Sequence, residues 1–246
     1  MFLELPRFLL FNVKITLMKI LALDASTEFL SLAVADGRNV YQYNHLAGQA
    51  ASQLILPEIQ KILKTAQLEL TDLDGIAFGA GPGSFTGVRV ACGVAQGLAY
   101  GASIPVVGVN VLMALAQASG AHRVVAASDA RMKEVYHAVY EKRDDVWQEV
   151  QPTGVYKPTN VPDVDGDNWY GVGTAWKVYA DVLAQRYHQK IIKTLPEMTP
   201  KADAIIDLAK PIFEAGLAVD ASDARPIYIR NRVALTAKER EQGQRL

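Results

Sequence analysis

Cysteine is almost absent from this sequence: Cys92 is the only one among 246 residues. A single cysteine can form neither an intramolecular disulfide nor a cysteine-rich zinc site, so a disulfide scaffold is excluded. It fits a reducing compartment, and we expect a cytoplasmic protein. Long apolar runs are missing too. No stretch approaches the roughly 20 uninterrupted apolar residues of a membrane span, so we expect no membrane contact.

A charge of one sign is also missing, because 25 basic and 26 acidic side chains leave a net charge of −1. Proteins that grip nucleic acid unaided usually carry a basic patch or stripe. The balance therefore disfavours an independent nucleic-acid-binding module, although it does not exclude a local patch. With 50% hydrophobic and 21% charged residues, the chain is neither disordered nor collagen-like.

The first 17 residues, MFLELPRFLLFNVKITL, are apolar but are interrupted by Glu4, Arg7 and Lys14. They lack the basic start and clean apolar core of a signal peptide. We expect residues 1–17 to be an extension outside the folded part, from an upstream start or as a poorly ordered arm. A membrane-surface helix is the alternative.

The first half of the chain predicts a three-stranded meander, because Asp36-Gly37 is a hairpin dipeptide between apolar runs. Pro57 lies inside the first predicted helix and predicts a kink or a late start there. The predicted strands are 19–25, 29–35, 39–44, 75–79 and 105–109, and the predicted helices are 51–66, 86–101 and 110–118.

The pattern restarts after residue 120. Laying Asp24 over Asp129 superposes a strand, an Asp-Ala turn and a second strand at an offset of 105 residues. The repeat by itself indicates an α/β chain with an internal duplication. The second half predicts strands at 123–129, 133–140, 146–150 and 226–229, a loop over 152–168, and helices at 174–187 and 202–215.

A glycine-rich loop, GAGPGSFTGVR at residues 79–89, joins a predicted strand to a predicted helix. Free backbone N–H groups at a helix start can hold an anion. The loop is not a Walker A motif, because no lysine follows its last glycine. It can also be purely structural, with Ser84 or Thr86 capping the helix.

The helix after this loop carries two stripes of small residues. Gly93, Gly97 and Gly101 recur every four residues, and so do Ala91, Ala95 and Ala99. The stripes lie on nearly opposite faces, and each glycine costs about 1 kcal/mol relative to alanine. Close approach on both sides would offset that cost. One side can pack on the sheet, the other on a helix of this chain or of another protein.

Other candidate chemistry is sparse. Arg131 could hold an anion or pair with Asp129 or Glu134. No two histidines have the helical spacing of a metal-binding pair, and no nucleophile has a suitable setting.

Four segments carry a resemblance to a known family: ILALDAST at 20–27, GAGPGSFTGVRVACGVAQGLA at 79–99, SDARMKEVYHAVY at 128–140 and PIYIRN at 226–231. They resemble the bacterial TsaB (YeaZ) family of tRNA threonylcarbamoyladenosine synthesis. The resemblance spans Met18 to about Asn231. It implies an actin-like (ASKHA) fold of two related lobes, each with a mixed sheet opened by a three-stranded meander and flanked by helices. We therefore expect a first, partner-binding lobe over residues 18–119 and a second lobe with a charged tail over 120–246.

The resemblance also implies a non-catalytic partner of TsaD and TsaE in N6-threonylcarbamoylation of adenosine 37 in tRNAs reading ANN codons. It implies a homodimer when alone, tRNA contact only through the complex, and no cofactor of its own, because ATP or ADP and the metal belong to the partners. It places the partner interface on the first lobe's helices, where tryptophan at Ala95 should block TsaD binding without unfolding the chain. The expected interface residues are Leu54, Pro57, Glu58, Gly87, Val88, Ala91, Cys92, Ala95, Leu98 and Ala99.

In actin-like ATPases the turn after the first strand holds nucleotide phosphates, usually with glycine for close approach. Here Ala25 and Ser26 stand in that turn, which suggests a degenerate nucleotide loop. An actin-like ATPase or kinase that uses Asp24 is the alternative function, and a metalloprotease is a further one with no evident ligand set. The residues expected in the degenerate loop are Asp24, Ser26, Thr27, Gly81, Gly83 and Ser84.

Overall fold

The computed structural model describes residues 17–230, which form two five-stranded mixed sheets flanked by helices. The expected extension therefore lies outside the described residues, apart from Leu17, and so does the charged tail beyond residue 230. The strands and α-helices are β1 (Ile20–Asp24), β2 (Phe29–Ala35), β3 (Val40–Leu46), α1 (Ala51–Thr65), β4 (Gly75–Gly81), α2 (Phe85–Ala102), β5 (Val106–Asn110), α3 (Val111–Ala118), β6 (Arg123–Asp129), β7 (Val135–Arg143), β8 (Val146–Tyr156), β9 (Trp169–Val172), α4 (Ala175–Val178), α5 (Ala180–Tyr187), β10 (Ile191–Leu195) and α6 (Ala202–Glu214).

The first sheet has the strand order β3-β2-β1-β4-β5. β1 pairs antiparallel with β2 and parallel with β4, and all five β1 residues are buried. Successive side chains of a strand point to opposite faces. Leu21 and Leu23 accordingly pack towards α1 and α2, whereas Ile20 and Ala22 pack towards α6. A sheet covered on both faces explains why β1 is apolar throughout.

The second sheet repeats this topology, because its order β10-β9-β6-β7-β8 places each strand in the position of its counterpart. β6 corresponds to β1 and pairs antiparallel with β7 and parallel with β9. Asp24 and Asp129 end these two equivalent strands. The actin-like fold of two related, mixed-sheet lobes is thereby confirmed.

Helix α6 crosses back to the first lobe. Its apolar residues Ile205, Ile206 and Phe213 pack on the first sheet, on the face opposite α1 and α2. The Ser31 hydroxyl of β2 accepts a 2.8 Å hydrogen bond from the first backbone N–H of α6, that of Ala202. A lobe drawn as residues 120–246 therefore includes a helix whose packing belongs to the first sheet.

Helix α3 connects the two lobes. Leu112 and Leu115 lie in an apolar cluster with Val124, Ala126 and Tyr140 of the second sheet. Ala114, on another side of the same helix, packs with the first sheet. The two sheets thus share one short apolar helix.

Some local predictions are wrong. No strand forms at 226–229, because that segment makes a single backbone hydrogen bond to β4, from Ile227 N–H to Ala80 O. The expected helix over 174–187 is split at Tyr179, and β8 extends to Tyr156 into the expected loop. Helix α1 begins at Ala51 with Pro57 inside it, so it does not start late.

Candidate functional site

The turn after β1 is built around a buried carboxylate. Asp24 is 1% exposed, and its Oδ1 accepts hydrogen bonds from the Ser26 N–H at 3.1 Å and the Ser26 hydroxyl at 2.9 Å. Its Oδ2 has no hydrogen-bond partner among residues 17–230. Burial raises the pKa of Asp24 to about 6, against the opposing effect of the two Ser26 hydrogen bonds.

The glycine-rich loop after β4 lies directly on this turn. The backbone N–H of Ser84 donates to Ser26 O at 2.7 Å. A Cβ at Gly79 would collide with Asp24 Oδ2, and a Cβ at Gly87 would collide with Ala25 O. Glycine is therefore required at both positions for close approach of the backbone. The backbone of the glycine-rich loop therefore lies against the turn at residues 24–26.

The structure brings most of the expected loop residues together. Asp24, Ser26 and Gly81 are buried, and Gly83 is half-buried with its Cα against Ser26. The Thr27 Oγ1 accepts a 3.1 Å hydrogen bond from the Phe29 N–H, two residues along the chain. Ser84 is exposed and caps α2 by accepting a long 3.4 Å hydrogen bond from the Gly87 N–H, so the predicted serine cap is confirmed. Among the buried side-chain N and O atoms of this turn in residues 17–230, Asp24 Oδ2 is the one without a hydrogen-bond partner.

The equivalent turn of the second lobe is cationic at its tip. Arg131 pairs with Asp129 at 3.4 Å, one of the two partners considered from the sequence. Glu134 pairs instead with Arg230 at 2.6 Å. Residues 131–133 all have left-handed φ values, at 60°, 54° and 60°.

The two stripes of α2 face opposite environments. Ala91, Ala95 and Ala99 are fully buried against the first sheet. Gly93 and Gly97 are exposed, and a Cβ added at either would meet nothing within 4 Å. In the described part of the chain, the glycine stripe of α2 has no close neighbour at these positions.

This arrangement corrects half of the expected interface. Because the following five side chains are buried within the chain, they cannot line a surface that meets a partner: Val88, Ala91, Cys92, Ala95 and Ala99. Tryptophan at Ala95 would overpack the core rather than leave the fold intact. The other five expected residues reach the surface at least in part: Pro57 is exposed, and Leu54, Glu58, Gly87 and Leu98 are half-buried.

The sequence shows the four-residue spacing of Gly93 and Gly97 but not that this stripe is the exposed one. Spacing alone does not tell which of two opposite stripes faces the core. Arg230 was also missed, because its partners Ala130 and Glu134 are about 100 residues away in the chain.

No metal centre is evident in residues 17–230, where no group of three His, Cys, Asp or Glu side chains converges. His137 is fully buried, with its Nε2 2.6 Å from the Tyr187 hydroxyl. Burial lowers the pKa of His137 to about 4. None of the helices in residues 17–230 is long and apolar enough to cross a membrane.

Comparison with known proteins gives consistent matches. Residues 44–225 match the family model of TsaD, tRNA N6-adenosine threonylcarbamoyltransferase. The tRNA threonylcarbamoyladenosine biosynthesis protein TsaB of Escherichia coli K12 is 39% identical over 226 residues, covering 88% of this chain and 96% of that protein. Its Haemophilus influenzae namesake is 39% identical over 227 residues, covering 87% and 94%. The solved structure of YeaZ from Pseudomonas aeruginosa is 36% identical with a TM-score of 0.79, covering 86% of this chain and 99% of that one.

Proposed function

Because the chain belongs to the TsaB (YeaZ) family, we propose that it is a non-catalytic subunit required for N6-threonylcarbamoylation of adenosine 37 in tRNAs that read ANN codons. The names of its Escherichia coli and Haemophilus influenzae relatives assign those proteins to tRNA threonylcarbamoyladenosine biosynthesis. In this proposal the chain works in the cytoplasm with TsaD and TsaE, forms a homodimer when alone, and meets tRNA only through the complex. ATP or ADP and the metal belong to the partner subunits.

The observation that carries the proposal is the exposed glycine stripe of α2. A helix interior that keeps Gly93 and Gly97 gives up about 1 kcal/mol at each relative to alanine. Nothing in residues 17–230 lies within 4 Å of a Cβ at these positions, so internal packing does not offset that loss. A partner helix that packs backbone against backbone would offset it.

Helix α1 widens this surface. Leu54 and Pro57 add apolar area beside α2, and the Glu58–Lys61 pair, 2.7 Å apart, adds a polar rim. An apolar centre with a polar rim is the usual anatomy of a protein interface. The exposed faces of α1 and α2 together therefore support docking of a helical partner such as TsaD or a second copy.

The absence of catalysis is supported by the Asp24 turn. Phosphate binding needs free backbone N–H groups and space in front of the turn. Here the Ser84 N–H is bonded to Ser26 O, and Gly87 lies against Ala25 O. These contacts occupy part of the turn with the chain's own backbone, which supports a vestigial rather than an active site.

The test is Gly97→Trp, with Ala184→Trp as the matched control. Gly97 has open space around it, so the variant is expected to fold as well as the parent. A tryptophan at an interface centre should weaken TsaD binding by about 100-fold or more. Ala184 is exposed on α5 of the second lobe, and its substitution should leave binding unchanged.

Binding would be measured by light scattering after size exclusion and by calorimetry, with circular dichroism as the check on folding. TsaD affinity unchanged in a folded Gly97→Trp protein would refute the assignment of this surface. Equal loss in both variants would refute it too, since that result would point to a nonspecific effect of tryptophan.

A further inference from the structure

The chain after α6 returns along the first lobe and reaches the second lobe at residue 230. Val219 exchanges backbone hydrogen bonds with Val106 at the edge of the first sheet, at 2.9 and 3.0 Å. Gln96 of α2 donates to Ala221 O at 3.0 Å, and Ile227 N–H donates to Ala80 O at 2.7 Å. The segment is thus fastened to the first lobe as far as residue 227.

Three residues later, Arg230 reaches the second lobe. Its Nη2 donates to Ala130 O at 3.1 Å and to Glu134 Oε2 at 2.6 Å, and its Nη1 contacts Met132 Sδ at 3.3 Å. The Arg230 side chain is only 14% exposed and that of Glu134 33%, so water screens the pair less than a surface pair. Residues 227–230, here called the clasp, therefore join the end of β4 to the turn after β6.

The partner of the clasp is a turn in an unusual conformation. Three successive non-glycine residues, 131–133, have left-handed φ values. Such backbone persists only where surrounding contacts hold it in place. Arg230 supplies such contacts from both sides of the turn, because it binds the residues before and after these three.

The lobes are also joined elsewhere, through α3 and its neighbours. Asn110 Nδ2 donates to Thr153 Oγ1 at 2.8 Å, and Trp147 Nε1 donates to Gln117 Oε1 at 2.8 Å. A single region of contact leaves two lobes free to rotate about it. A second connection through the clasp removes that freedom, since hinge motion of packed lobes needs residues that can absorb it.

We propose that the clasp fixes the angle between the two lobes, so that the chain holds one interlobe arrangement without any bound nucleotide. The ion pair between Arg230 and Glu134 fastens it at the second lobe. The inference concerns the isolated chain and does not depend on the identity of its partner.

The experiment measures the interlobe distance in the full-length chain. Cysteines introduced at the exposed positions Lys64 of α1 and Gln185 of α5, one on each lobe, would carry spin labels. Buried Cys92 stays in place, and labelling stoichiometry checks that it does not react. Double electron–electron resonance then gives the distance distribution for the parent, Arg230→Ala and Arg225→Ala.

A narrow, single distribution is expected for the parent and a clearly broader one for Arg230→Ala. Arg225→Ala is the matched control, because the ion pair of Arg225 to Asp223, at 3.6 Å, stays within its own segment. A broad parent distribution, or identical distributions for the parent and a folded Arg230→Ala protein, would overturn the proposal. If circular dichroism shows Arg230→Ala to be unfolded, Glu134→Gln replaces it, with the same two outcomes.

Discussion

Asp24 should make the folded chain less stable as pH rises, whereas a carboxylate with a lowered pKa makes it more stable. Replacing Asp24 with asparagine should remove this pH dependence. The native pKa of Asp24 is raised from 3.8 to about 6 by burial, so between these values the folded chain holds a proton that the unfolded chain has lost. Stability therefore falls as pH rises through this window. Above pH 6 the buried charge of Asp24 lowers the free energy of unfolding by about 3 kcal/mol, and well below pH 4 this loss is absent.

His137 acts in the opposite direction over nearly the same window. Its native pKa is lowered from 6.5 to about 4, so below pH 6.5 the unfolded chain binds a proton that the folded chain refuses. Its contribution to stability is complete above pH 6.5 and is lost as pH falls to 4, again by about 3 kcal/mol. In the parent the pH effects of Asp24 and His137 largely cancel. In Asp24→Asn only the His137 effect remains, so this variant should lose stability as pH falls.

Urea unfolding of the parent and of Asp24→Asn at about pH 4 and about pH 7.5 measures this difference, with the midpoint urea concentration and the slope m determined at each pH. The asparagine amide has its own cost in place of Oδ2, but that cost is the same at both pH values and drops out of the comparison. The stability difference between variant and parent should shift by about 2–3 kcal/mol in favour of the variant at the higher pH. A difference that does not change with pH would show that Asp24 titrates normally and refute the reasoning.

Four further predictions concern the same elements. His137→Phe should give the mirror-image profile, gaining stability relative to the parent as pH is lowered from about 6.5 to about 4 in urea unfolding; a profile parallel to that of the parent would contradict it. Gly79→Ala should cost about 1–3 kcal/mol of unfolding free energy, because its Cβ would collide with Asp24 Oδ2. Gly97→Ala, in open space, should instead add up to about 1 kcal/mol, and equal effects would count against both assignments. Calorimetric titration of the isolated chain with Mg-ATP should give no binding heat; a saturable isotherm would revive the ATPase or kinase alternative.

The strands of the fold were predictable where apolar runs end at turn residues. The predicted bounds of β2 and β6, 29–35 and 123–129, are those of the structure. β9 has only four residues and β10 shows no buried face, so neither carries the alternation that marks a strand. The run PIYI at 226–229 is apolar, as a strand would be, but it forms no strand because no neighbouring strand pairs with it.

The candidate site was predictable in its composition but not in its orientation. Small residues every four positions in α2 indicated two close-packing faces, and the structure has both an alanine face and a glycine face. Which face meets the sheet depends on how the helix rotates when it packs, and this is a tertiary property. The contact of the glycine-rich loop with the Asp24 turn depends likewise on two parallel strands, β1 and β4, lying side by side.

The return of α6 to the first sheet has a consequence for the order of events during synthesis. Ile20, Ala22 and Ala77 are covered by residues of α6, which follow them by more than 100 positions. A ribosome that has released only the first lobe leaves this apolar face open to water. The N-terminal half must wait for the whole second sheet to emerge before its own core is complete, and nascent chains stalled before residue 202 should attract chaperones.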